Sequence, residues 1–275
     1  MVLVDIVVVV VKVVVEVMVV TKVVVMVVVL VLVVVVVMKV VMLMVVMVEL
    51  FRKVLPHQCL DSVWSQRRKP GKEHVASTVS ATLRQFNHMA TCVITTCLGD
   101  PSMMAQDRAK VVEHWIKVAK ECRSLRNFSS LHTILAALQS VAVHRLKKTW
   151  GKVSRKRALT MKQLCMKDNI LSREQFIKPS RYATLMSHVP GSKLRLPKKC
   201  VPFLGEYLKD LKVMDSIMED DQEVQRVLEE IVLLQEAAHK YQIEPEGQFQ
   251  AWFWAVKRLS ENESYIWSCQ LEPQS

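Results

Sequence analysis

"CRSLRNFSSLHTILAALQS", residues Cys122 to Ser140, decides the fold. Ahead of its middle, Val111, Val112, Trp115, Val118, Ala119, Cys122 and Leu125 recur at the spacing of one helix face. Beyond it, Leu131, Ile134, Leu135 and Leu138 do the same. Between the two runs stands Arg-Asn-Phe-Ser-Ser, which holds neither of the residues that ordinarily end a helix, proline or glycine. The break needs another cause. Amide side chains serve backbone groups at caps and turns, so Asn127 can satisfy a helix junction while Phe128 anchors it in a core.

Outward from this stretch the helical period persists. It runs through Phe203, Leu204, Tyr207, Leu208 and Leu211, through Val224, Val227, Leu228, Ile231, Leu234 and Ala238, and through Phe249, Trp252, Phe253 and Val256. No comparable period-2 pattern follows residue 50. The expectation is an all-α domain of roughly ten helices packed by ridges and grooves. Its loops fall at Arg67–Lys72, Gly99–Pro101, Pro190–Lys199 and Pro245–Gly247, where Pro, Gly and charge cluster. Asp100 and Ser102 are candidate N-caps for the helix through Trp115.

At 275 residues the chain can bury roughly 70 to 75% of its unfolded surface, enough for a real core. The formal charge of +12 favours an acidic partner surface and is silent on fold. Seven widely spaced cysteines without a C-x-x-C pair argue against a disulfide framework or a structural zinc, and for a reducing, intracellular compartment. No P-loop, G-x-G-x-x-G, H-E-x-x-H or G-x-S-x-G occurs, so bond chemistry has no visible carrier, and no cofactor or metal is expected. His114, His132, His144 and His239 sit in helical patterns as surface or capped core residues. The basic run "HRLKKTWGKVSRKR", His144 to Arg157, reads as a solvated helix face, a site for an acidic protein, or a nucleic-acid contact.

Residues 1–48 are almost a valine homopolymer broken by Asp5, Lys12, Glu16, Lys22 and Lys39. From Val23 to Met38 there are 16 uncharged residues, so a membrane anchor must be weighed. The first charge is Asp5 and no small-residue cleavage site follows, which speaks against a secretory signal. Three readings stay open: an artefactual low-complexity tract, a membrane-associating segment, or a packed element. The composition changes at Glu49, which places the domain at residues 49–275.

"RAKVVEHWIKVAKECRSLRNFSSLHTILAALQSVAVHRLKKTW", Arg108 to Trp150, resembles the central signature of the catalytic domain of Ras-type guanine nucleotide exchange factors. Its order is Arg, Trp-Ile, Cys-x-x-Leu-x-Asn-Phe and Arg-Leu-Lys-x-Thr-Trp. "CVPFLGEYLKDL", Cys200 to Leu211, is similar to a second motif of that family in place and order. "FNHMATCVITTCLGD", "AKVVEHW" and "LSENESYIWSCQLEPQS" resemble its Ral guanine nucleotide dissociation stimulator branch, and the likeness covers about Leu50 to Ser275.

The resemblance implies a single large helical bowl with a protruding helical hairpin. It implies exchange of GDP for GTP on a Ral-like or other Ras-family small GTPase, without covalent chemistry. The partner is then a GTPase rather than nucleic acid, the chain a cytoplasmic monomer, and membrane contact indirect through the lipidated GTPase. By motif matching, Arg84, Asn87, Asn127 and Trp150 are candidate GTPase contacts; for Asn127 a plain capped turn, and for Trp150 simple packing, remain alternatives. The hairpin should occupy about Lys152 to Ser187, with Leu159 and Gln163 on one face of its first helix by i, i+4 spacing. This region departs most from the family, and no counterpart of the family's N-terminal exchanger motif or Ras-association domain is legible. The alternative is therefore a catalytically impaired GTPase-binding or scaffold protein with the same fold.

Overall fold

The periodic stretches form helices in a computed structural model, which describes residues 17–21, 24, 35–36, 38–72, 74–99, 102–168, 199–217, 221–242 and 258–273. The chain divides into two compact units, Met1–Lys39 and Val40–Ser275. In the first, residues 17–21 are helical and solvent-exposed. In the second, helix α1 covers residues 40–52. After the short turns Pro56–Cys59, Asp61–Trp64 and Ser65–Arg68 come α2 (Ser77–Leu98), α3 (Ala105–Ser124) and α4 (Phe128–Gln139). Two short helices, α5 (Val141–His144) and α6 (Lys147–Lys152), lead into α7 (Arg155–Asp168). The remaining helices are α8 (Leu204–Ile217), α9 (Asp221–His239) and α10 (Glu261–Leu271). The architecture is all-α: among the described residues there is no strand, only an isolated parallel bridge between Asn127 and Val201.

The compact unit starts inside the valine tract, ahead of the composition change at Glu49. Met42, Leu43, Met44, Val45, Met47 and Val48 are buried, so this end of the tract packs within the second unit. Burial on several sides suits a helix that is apolar all round. Gln235 of α9 fastens the end of α1 by donating to the carbonyls of Phe51 and Val54 at 2.9 and 2.7 Å. The anchor reading falls largely on residues outside those described. Among the described residues, no helix is long and apolar enough to cross a membrane.

α2, α3 and α4 form the centre. Trp115, Ile116, Leu131 and Ile134 are fully buried there, and Trp115 donates its indole N–H to Thr96 Oγ1 at 2.8 Å. The N-cap of α3 is Met104, with no side-chain cap bond; of the expected caps, Ser102 lies outside the helix and Asp100 outside the described residues. α10 does carry a capping box, in which Ser260 accepts from the Glu263 N–H and Glu263 accepts from that of Ser260.

Leu43→Ala should lower unfolding free energy by about 3 kcal/mol, the loss typical of a truncated core leucine, whereas Val19→Ala in the first unit should change it by less than about 0.5 kcal/mol. Denaturant titration of both variants checks the pair; equal small losses would remove α1 from the core.

Candidate functional site

The break without glycine is a Schellman motif carried by an arginine. Asn127 N–H donates to Cys122 O at 2.8 Å and Arg126 N–H to Arg123 O at 2.9 Å, the paired reverse bonds that close a helix C-terminus. Arg126 takes the left-handed position at φ 58°, where glycine is usual and an L side chain costs roughly 1–2 kcal/mol. Its own bonds offset this. The Arg126 carbonyl accepts from Val201 N–H at 3.0 Å, its Nε donates to Lys199 O at 3.1 Å, and its guanidinium sits 5.8 Å from the centre of the Phe128 ring.

The next helix begins one residue later, and its exposed N–H groups all find acceptors. Phe128 and Ser129 N–H donate to Val201 O, and Ser130 N–H donates to Asn127 Oδ1 at 3.0 Å. Asn127 Nδ2 donates to Ser130 Oγ at 2.7 Å. Ser130 Oγ in turn reaches Leu43 O, and Ser129 Oγ reaches Met47 Sδ, both at 3.4 Å. The segment opening the Cys200–Leu211 motif and the buried face of α1 therefore meet at this one junction.

A second junction fixes the base of α7. Helix α6 has Leu146 as its N-cap, which offers no side-chain acceptor. Glu272, 5% exposed, supplies it from the far end of the chain, accepting from Lys148 N–H, Thr149 N–H and Thr149 Oγ1 at 2.8 to 2.9 Å. Arg108, 4% exposed, lies 3.4 Å away and also donates to Thr149 Oγ1 and to the Met103 carbonyl. Burial pushes the Glu272 carboxyl upward, but the Thr149 and Lys148 donors and Arg108 outweigh it and hold it below its ordinary value. Where α6 passes into α7, Glu113 accepts from Ser154 N–H at 2.6 Å.

The expected contact residues separate into two kinds. Arg84 and Asn87, both exposed, project from α2, and Leu159 and Gln163, also exposed, share the outer face of α7. Asn127 has no exposed area and Trp150 is half-buried. Trp150 donates to Val143 O at 3.0 Å and packs on the cluster of Leu98, Leu146 and Leu259. α2 rests on α4, and α7 on α3. Of the expected hairpin, about Lys152 to Ser187, residues 169–187 lie outside the described residues.

A cluster beside Arg84 and Asn87 escaped the sequence reading. Phe203 stacks on His132 with ring centres 4.5 Å apart and tilts against Phe86 of α2 at 5.0 Å. Glu206 stands 3.6 Å from His132 Nε2. A Cβ at Gly205 would strike the Phe203 ring, so the glycine in "CVPFLGEYL" leaves room for that ring to fold back. The glycine was the available signal.

Arg84 and Asn87 on α2 and Leu159 and Gln163 on α7 are thus exposed side chains of an all-helical domain. Residues 42–236 match the RasGEF domain, and the chain belongs to that family. Human Ral-GDS-related protein is 46% identical over 241 residues, which cover 82% of this chain and 51% of that protein. Human Ral guanine nucleotide dissociation stimulator-like 1 is 39% identical over 254 residues, covering 82% and 33%. Mouse Ral guanine nucleotide dissociation stimulator-like 3 is 37% identical over 243 residues, covering 82% and 34%. The chain thus spans between a third and a half of the length of these relatives.

Asn127→Ala leaves Ser130 N–H buried without its acceptor and should cost about 2 kcal/mol of unfolding free energy, measured by denaturant titration. Because the Glu272 carboxyl is held low in the fold, its contribution is complete above its ordinary value of 4.5 and is lost as pH falls through the lower folded value. Glu272→Gln should therefore flatten the acid limb of the stability curve; an unchanged limb would detach Glu272 from the α6 cap.

Proposed function

We propose that the chain accelerates GDP release from a Ral-like small GTPase, allowing GTP to take its place. The observation that carries this reading is the RasGEF match spanning α1 through most of α9, together with relatives whose names specify guanine nucleotide dissociation from Ral. Such a reaction asks for no nucleophile, general base or metal. A nucleotide held at picomolar affinity is bound by about 16 kcal/mol, so its spontaneous escape is slow. A protein that binds the empty GTPase far better than the loaded one weakens nucleotide binding by the same factor, because the linkage is reciprocal.

In this reading Arg84 and Asn87 on α2 and Leu159 and Gln163 on α7 touch the GTPase. Asn127 and Trp150 hold those two helices in place: Asn127 starts α4, on which α2 rests, and Trp150 seats α6, which leads into α7. The chain works as a monomer in the cytoplasm and meets membranes through its lipidated partner, and nucleic acid is not a substrate. The binding-only alternative differs in a single respect, that the empty GTPase is held while GDP release is not accelerated.

Release of a fluorescent GDP analogue from Ral, Ras and Rap proteins at micromolar chain concentrations tests the activity and its selectivity together. The expected outcome is acceleration with Ral foremost; no acceleration of any of them rejects the reading. Arg84→Glu should lower kcat/KM about tenfold, equivalent to about 1.4 kcal/mol, with an unchanged melting temperature. An unaltered rate would remove Arg84 from the contact surface.

A further inference from the structure

The basic run left unexplained by its sequence acquires a location. From Cys122 to Lys167 the chain contains eleven Lys and Arg residues and no Asp or Glu. Some of these cations are occupied inside the fold: Arg126 closes α3, and Arg145 donates to the carbonyls of Ser268 and Glu272 at 2.6 and 2.9 Å. Lys147, Lys152, Arg155, Lys156 and Lys162 are not. Their side chains are exposed on α6 and α7, and none is in an ion pair among the described residues. Glu113 accepts from Ser154 N–H and is drawn to Arg157 and Lys117, and Glu272 accepts from Lys148 and Thr149 N–H and pairs with Arg108, so both carboxylates are engaged by cations other than these five. Among the described residues, these five cations thus stand on α6 and α7 without an ion-pair partner.

This charge surrounds apolar surface. Leu159 and Met166 are exposed on the same outer stripe of α7, with Arg155 and Lys162 beside them. On the flank, Lys147, Lys162 and His144 rim a cleft of about 490 Å³ floored by Leu138, Trp150 and Met161. Apolar surface with unpaired cations beside it is complementary to a folded surface that sets carboxylates beside an apolar centre. A nucleic acid would instead call for aromatic faces open to bases, and the aromatic within this run, Trp150, is half-buried with its N–H bonded to Val143 O.

We propose that Lys147, Lys152, Arg155, Lys156 and Lys162 form a cationic collar that selects a GTPase by an acidic face and speeds their encounter. The proposal rests on the exchange reading and adds to it a determinant of partner choice outside Arg84 and Asn87. Steering of this kind raises association rates by factors of about ten to a thousand and fades as salt screens it.

The test uses the full chain and measures kcat/KM for GDP release from the preferred GTPase across a salt series. The triple variant Lys147→Glu, Lys156→Glu, Lys162→Glu should be slower by about tenfold or more at low salt, with the loss in KM, and should approach wild type near 1 M salt, where the Debye length is about 3 Å. Lys69→Glu with Lys120→Glu, on other exposed surfaces, should leave the rate unaltered, and thermal melting confirms that each variant folds. Among GTPase variants carrying single carboxylate-to-lysine changes, at least one should recover activity with the triple variant. A wild-type rate that is flat against salt, or a triple variant equal to wild type, overturns the collar and leaves the exchange reading standing. Absence of both GDP release and binding to the nucleotide-free GTPase overturns the two together. If the triple variant loses binding to phosphatidylserine vesicles or to RNA while exchange is unaltered, the patch serves lipid or nucleic acid and the collar is overturned.

Discussion

The backbone of Val201 is the constraint on which the rest depends. Its carbonyl accepts from the first two N–H groups of α4, and its own N–H donates to the left-handed Arg126 that closes α3. A single residue thus ends one helix and starts the next. The arrangement tolerates an arginine where glycine is usual because neighbouring groups restrain it: Lys199 O and the Phe128 ring hold its side chain. α1 closes the site from another side through Leu43 and Met47.

Rigidity at this junction would serve a protein that acts, as proposed for this chain, by preferential binding. The energy available for loosening a nucleotide is the difference in affinity for two states of the partner, and a contact surface that yields wastes that difference. α2 rests on α4, and α7 is anchored through α6 to Glu272 and through Ser154 to Glu113. Both exposed sets of residues therefore project from helices packed on the central ones, α2 on α4 and α7 on α3. Asn127, fully buried, and Trp150, half-buried, are bonded within this framework, to Ser130 and to Val143 O.

Much of the fold was legible in the sequence because it follows from period. The stripes through Trp115, Leu131, Tyr207 and Ile231 became buried helix faces. The helix at residues 40–52 was not legible, since composition cannot separate it from the tract before it. Nor were the caps of α3 and α6. Asp100 and Ser102 suited the spacing, but local spacing carries no information about Glu272, which reaches α6 from the other end of the chain. At the candidate site, residue type identified Asn127, while only geometry distinguishes a side chain that touches a partner from one that holds the surface in shape. The stack of Phe86, Phe203 and His132 joins three separate helical stretches and was invisible for the same reason.

The central claim is a difference in affinity, and equilibrium binding measures it directly. Titrating the chain against nucleotide-free and GDP-loaded forms of one GTPase should give affinities that differ by orders of magnitude; about 10⁴-fold, roughly 5.5 kcal/mol, would turn a 1:99 population into its reverse. Equal affinity for the empty and the loaded forms would contradict the account.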